Sequence, residues 1–147
     1  MFDADGRATR REVWLVALWS VAPLLPFLTK AVSIDAPVFL SVARQIIAHP
    51  LDPFGFQMIW DPTSPDAWVF NRNPPLVSYY LALWISRFGE VDTVLHVAML
   101  PFSLLAGLSF LGIARRIAGE GARPAALLIA TPAYLVLATT LLLDIPL

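Results

Sequence analysis

Two aspartates stand where an apolar chain least readily tolerates them. Asp35 and Asp144 each come just after a long uncharged run gives way to polar sequence. A carboxylate at the edge of a bilayer is costly unless it is paired or used. The plainer roles are open to both: Asp35 can cap the helix that follows it, and Asp144 can mark the end of a span. The roles are compatible, because a cap carboxylate has its acidity raised by the helix dipole and is ionised at neutral pH. Few other groups compete. His49 and His96 are lone histidines suited to a turn or a surface. Asp52 and Asp61 match no standard metal spacing. The absence of cysteine excludes disulfides, iron–sulfur clusters and thiolate zinc. Lys30, Arg44, Arg72 and Arg87 are the cations of the same region, with interfacial anchoring as their ordinary use.

The elements that must position these groups are membrane elements. The chain is 58% hydrophobic and 14% charged, against about 45–50% and about 25% in soluble domains; its mean hydropathy is +0.70. A net charge of −1 with scattered basic residues gives no footprint for nucleic acid. Three runs are long enough to span: Val13–Thr29, Val94–Ala114 and Pro124–Leu143. The first follows Arg7, Arg10 and Arg11 but lacks a small-x-small cleavage site, so it reads as a retained anchor, kinked by Pro23 and Pro26. Pro74–Ser86 is too short to cross and suits an interfacial or re-entrant helix.

Charge sets the direction. If Pro74–Ser86 does not cross, Arg7, Arg10 and Arg11 share a side with Arg115, Arg116 and Arg123, and that side is the cytoplasm. The expected fold is all-α: a polytopic membrane protein with three transmembrane helices and interfacial helices in a large first external loop. Its expected divisions are a cytoplasmic N-terminus (1–12), a span (13–29), an external loop (30–92) with helices near 35–48 and 74–87, a span (93–115), a cytoplasmic loop (116–123), a span (124–143) and the start of a second external loop (144–147). Ile34–Ala48 has helical periodicity and should lie along the membrane surface, with Asn73 capping the next helix. Cysteines at Ser64 and Ser78 should then label from outside, and one at Gly121 should not. A large loop with nothing to cover it suggests the opening portion of a longer enzyme.

The stretches Ser33-Ile34-Asp35, His49-Pro50-Leu51-Asp52-Pro53-Phe54-Gly55-Phe56, Asn73-Pro74-Pro75-Leu76-Val77-Ser78-Tyr79-Tyr80 and Phe88-Gly89-Glu90, followed by Leu100-Pro101 and Asp144-Ile145-Pro146-Leu147, resemble family-39-type membrane glycosyltransferases of the GT-C class. That class includes protein O-mannosyltransferases and lipid A aminoarabinose transferases. The resemblance runs from about Ser33 to Leu147. It implies sugar transfer from a polyprenyl-phosphate donor to a lipid, glycan or protein acceptor on the outer face of the plasma (inner) membrane. It also implies Asp35 as catalytic base and Asp144 as a substrate-binding residue near the donor phosphate or a divalent metal. The leaving phosphate is already a stable anion, so one carboxylate suffices, unlike the pair of a glycosidase. The sequence departs from the family pattern at Ala36, where a second acidic or polar residue is usual, and at Leu95–Pro101, which carries no arginine. The alternative expectation is a non-enzymatic three-span scaffold whose loop binds a partner.

Overall fold

The computed structural model describes residues 9–32, 36–59 and 65–118. Among them the architecture is all-helical, the single extended pairing being an isolated antiparallel bridge between Gln57 and Asp66. The elements are α1 (Arg10–Val21), which continues as a 3₁₀ segment (Ala22–Phe27), α2 (Ala36–Ala48), the one-turn α3 (Ala67–Phe70), α4 (Leu76–Phe88) and α5 (Asp92–Ala118).

The first helix starts before the apolar run does. Thr9 and Glu12 form a capping box: the Glu12 backbone donates to Thr9 Oγ1 at 3.4 Å, and the Thr9 backbone donates to Glu12 Oε2 at 3.0 Å. The Thr9 amide is thereby met, the Glu12 amide is shared between Thr9 Oγ1 and the Thr9 carbonyl at 3.0 Å, and Arg10 becomes the first helical residue. At the far end the expected kink takes a different form. Pro23 and Pro26 each remove a donor and crowd the preceding turn, and the chain tightens into 3₁₀ geometry from Ala22 to Phe27. A 3₁₀ turn rises about 2.0 Å per residue against about 1.5 Å in an α-helix. The α-helical part alone is thus about 18 Å long and the combined rod about 30 Å.

Helices α1 and α5 pack antiparallel. Glu12 pairs with Arg115, and Val16 packs with Leu111. Further along the two helices Ser20 and Leu24 of the first rod and Ser103 and Gly107 of α5 are also buried. Small residues at such a seam let two helix backbones approach closely. The Ser20 hydroxyl is satisfied within its own helix, donating to the Val16 carbonyl at 2.7 Å.

The second half of the core lies at the other end of α5. Leu81 and Ala82 of α4 meet Leu95, Ala98 and Met99 of α5, and α2 covers α4 with Phe39, Val42, Ala43 and Ile46. Tyr80 donates to the Ala98 carbonyl at 2.7 Å and stacks edge-on against Phe102, next to Pro101 inside the continuous α5. Gly89 turns α4 into α5 with φ +86° and ψ 164°, a region open essentially to glycine alone.

Several expectations are corrected. The apolar face of α2 packs on protein rather than lying on a lipid surface: Ala36, Val38, Phe39, Leu40, Val42, Ala43 and Ile46 are all buried. Ser78 is also buried, its hydroxyl donating to the Phe39 carbonyl at 3.2 Å, so a cysteine there would be shielded from a bulky reagent. Asn73 does not cap α4, whose cap position is Pro75. Instead the Asn73 amide donates at 3.1 Å to Oδ1 of Asn71, itself buried.

Among the described residues one helix, Asp92–Ile117, is long and apolar enough to cross a membrane. At about 40 Å it exceeds the roughly 30 Å hydrocarbon core. The run Pro124–Leu143, the third expected span, lies outside the described residues.

Candidate functional site

Neither of the two aspartates singled out from the sequence, Asp35 and Asp144, lies within the described residues. Asp35 directly precedes Ala36, the first residue of α2. What the structure describes is the surface that this helix helps to build.

Residues 49–59 double back against α2 and α4, and the loop is held by backbone carbonyls. The His49 amide donates to the Gln45 carbonyl at 2.7 Å, ending α2, and the Asp52 amide donates to the His49 carbonyl at 3.0 Å. Gln45 Nε2 donates to the Asp52 carbonyl at 3.2 Å, and the Tyr79 hydroxyl donates to the Pro50 carbonyl at 2.5 Å. Pro50 and Pro53 offer no amide of their own, so side chains from α2 and α4 do the fastening. At Gly55 a Cβ would stand 1.8 Å from Asp52 Oδ2, so the turn closes only on a bare α-carbon. Two further bonds tie the loop to residues 65–67: the Met58 amide to the Pro65 carbonyl and the Ala67 amide to the Phe56 carbonyl, both 2.9 Å.

This arrangement leaves a cleft of about 450 Å³ between α2 and the loop, lined by Pro37, Ser41, Arg44 and Gln45 on one side and by Phe56, Gln57, Met58 and Ile59 on the other. The α2 residues recur at three- and four-residue spacing and so share one helical face. A second cleft of about 410 Å³ continues past Phe56 and Gln57 to Phe54, Asp66 and Trp68. Phe54 and Trp68 meet edge to face at 5.2 Å between ring centroids. The aromatic loop residues therefore line a groove as well as facing outward.

Among the described residues Arg44 carries the one charge on the lining of the larger cleft. It is held side-on: Nε donates to Glu90 Oε2 at 2.9 Å, and Nη2 donates to Glu90 Oε1. The hydrogen bond from Arg44 holds the Glu90 carboxyl below the usual glutamate range, and the same bond raises Arg44 further. Sequence reading placed Arg44 among four equivalent cations and quoted Glu90, 46 residues away, only within the Phe88-Gly89-Glu90 stretch, with no role of its own. Its one usable signal was an acidic residue in the short turn between two apolar helices.

The other cations stand apart from the cleft. Arg87 lies over the Phe88 ring at 5.7 Å, and Lys30 and Arg72 are exposed. His49 is exposed beside its turn. His96, expected at a surface, is buried, with Nδ1 2.7 Å from the Asp92 carbonyl. A carbonyl can only accept, so that nitrogen bears the proton. Among the described residues no group of three or more His, Asp and Glu side chains gathers to hold a metal ion. No family model, curated protein or solved structure matches the chain.

Proposed function

We propose that this chain supplies the first external loop and its flanking spans to a plasma-membrane glycosyltransferase that moves a sugar from a polyprenyl-phosphate donor to an acceptor on the outer face, with Asp35 as base. The observation that carries the reading is the antiparallel pairing of α1 with α5. It gathers Arg10, Arg11, Arg115 and Arg116 at one end of the pair, while α2, α4 and the clefts cluster at the opposite end of α5. Basic residues favour the cytoplasmic side, so the end that bears the clefts is the outer one. The rod of α1 and its 3₁₀ extension forms the first span, α5 the second and Pro124–Leu143 the third. Trp14, Leu18 and Leu25 on the first and Leu105, Ile113 and Ile117 on the second are exposed apolar side chains that suit contact with lipid.

In this reading an acceptor hydroxyl attacks the anomeric carbon. The new glycosidic bond forms, the bond to the donor phosphate breaks, and Asp35 takes the hydroxyl proton. The phosphate leaves as an anion without needing a general acid. The resemblance gives Asp144 the role of binding the donor, directly or through a divalent metal that would offset the charge of the phosphate.

One observation favours the second reading, a scaffold without catalysis: the arginine nearest the cleft is already committed to Glu90. Asp35→Asn in the full-length protein separates the two. Asparagine caps a helix about as well as aspartate, so insertion should survive. Sugar transfer should fall by about 10²–10⁴-fold with donor binding largely kept. Asp144→Asn should weaken donor binding as well as rate. Transfer within a few-fold of wild type in a normally inserted Asp35→Asn protein would leave Asp35 as a cap and favour the scaffold.

A further inference from the structure

We propose that the cleft between α2 and the 56–59 segment is a binding site for a neutral carbohydrate. Its volume of about 450 Å³ falls within the roughly 300–1,000 Å³ of small-molecule sites. Its lining divides into two kinds of surface. Pro37, Phe56, Met58 and Ile59 present apolar atoms, and Ser41, Arg44, Gln45 and Gln57 present hydrogen-bonding ones.

Charge decides between a sugar and an anion. Glu90 neutralises Arg44 through a two-point contact, so an incoming phosphate or carboxylate must displace it or share the guanidinium with it. A neutral polyol meets no such competitor. The pair takes two of the five guanidinium N–H groups and leaves three. The Ser41 hydroxyl both donates and accepts, and so do the amides of Gln45 and Gln57, although Gln45 already gives one N–H to the Asp52 carbonyl. A carboxylate accepts but cannot donate, and inorganic phosphate has one or two O–H donors at neutral pH, so either matches the amide oxygens less fully than a polyol does. Sugar hydroxyls do both, and their C–H faces suit the Phe56 ring and the Met58 thioether. The inference deepens the transferase reading, on which it rests for the site's role, by naming a sugar subsite on the loop.

The test uses binding rather than turnover. The chain contains three methionines, of which Met58 lines the cleft and Met99 lies in the helical core. With ¹³C-methyl methionine in the full-length protein in lipid nanodiscs, methyl pyranosides of gluco, manno and galacto configuration are titrated, and inorganic phosphate separately. At least one glycoside should move the Met58 methyl resonance saturably and leave Met99 in place, while phosphate moves neither. Gln57→Leu and Ser41→Val should each weaken that binding by about 2–10-fold, the range of a single hydrogen bond. Three results would overturn the proposal: no glycoside shifts Met58, phosphate shifts it instead, or both variants bind as wild type. Transfer activity lost while glycoside binding persists would count against the transferase reading and leave the site standing.

Discussion

At Glu12 one carboxylate accepts the Thr9 amide and also faces the Arg115 guanidinium, with both side chains largely buried. A buried pair is weak evidence of net stability, but removing one partner strands the other charge. Glu12→Ala should therefore destabilise by about 3–5 kcal/mol, and adding Arg115→Leu should restore most of the loss. Thermal unfolding of the detergent-solubilised protein measures both, and a double variant no more stable than the single one would remove the pair from this role. Arg44–Glu90 is the contrasting case, with side chains 59% and 30% exposed. Solvent screening limits such a pair to less than about 1 kcal/mol. Because Glu90 is held below its unfolded value near 4.3, its contribution is present above that pH and fades as pH falls through the lowered value. The stability difference between wild type and Glu90→Gln should thus be small at pH 6 and shrink as pH falls through the lowered value; a difference that grew on acidification would contradict the assignment.

Among the elements, the turn between α4 and α5 is the most exacting. The two helices are joined at Gly89–Val91, and Gly89 holds φ +86° with nothing within 4 Å of where a Cβ would stand. A change to alanine there would be opposed by backbone conformation and not by crowding. Gly89→Ala should cost about 1–3 kcal/mol, read as a lower melting temperature. If it melted as wild type, the turn would not require this conformation. Helix α2 illustrates how an amphipathic pattern can mislead. Its periodicity is real, and its bounds fall within a residue of expectation, but periodicity says only that one face is apolar. Whether that face meets lipid or protein depends on whether another helix lies above it, and here α4 does.

For the molecule, the proposed orientation rests on the arginines gathered at one end of the α1–α5 pair. Leu51, at 98% exposure, stands on the loop at the cleft-bearing end, and Arg116 is exposed at the opposite end of α5. In intact cells a cysteine at Leu51 should react with an impermeant maleimide, and one at Arg116 only after permeabilisation. Labelling of both, or of Arg116 alone, would refute the outward placement of the loop. These positions replace Ser78, whose burial against Phe39 was invisible before α2 was seen to cover α4.

Local chemistry let the sequence by itself determine the helical class, the extents of α2, α4 and α5 to within about three residues, and the break at Pro23 and Pro26. Proline geometry, glycine conformation and apolar periodicity act within a few residues of where they are written. The length of the long apolar run was equally legible, because its uncharged residues can be counted and each adds about 1.5 Å to a helix. Only the tertiary structure decided that the broken segment would tighten into 3₁₀ form, that α2 would be covered by α4, that Glu12 would meet Arg115, and that Arg44 would be neutralised by Glu90 across 46 residues. Each of these depends on which surfaces come together when the chain closes on itself. A side chain's partner across 46 or 103 positions is set by helix crossing and register, and neither is carried by the spacing of residues along one strand of sequence.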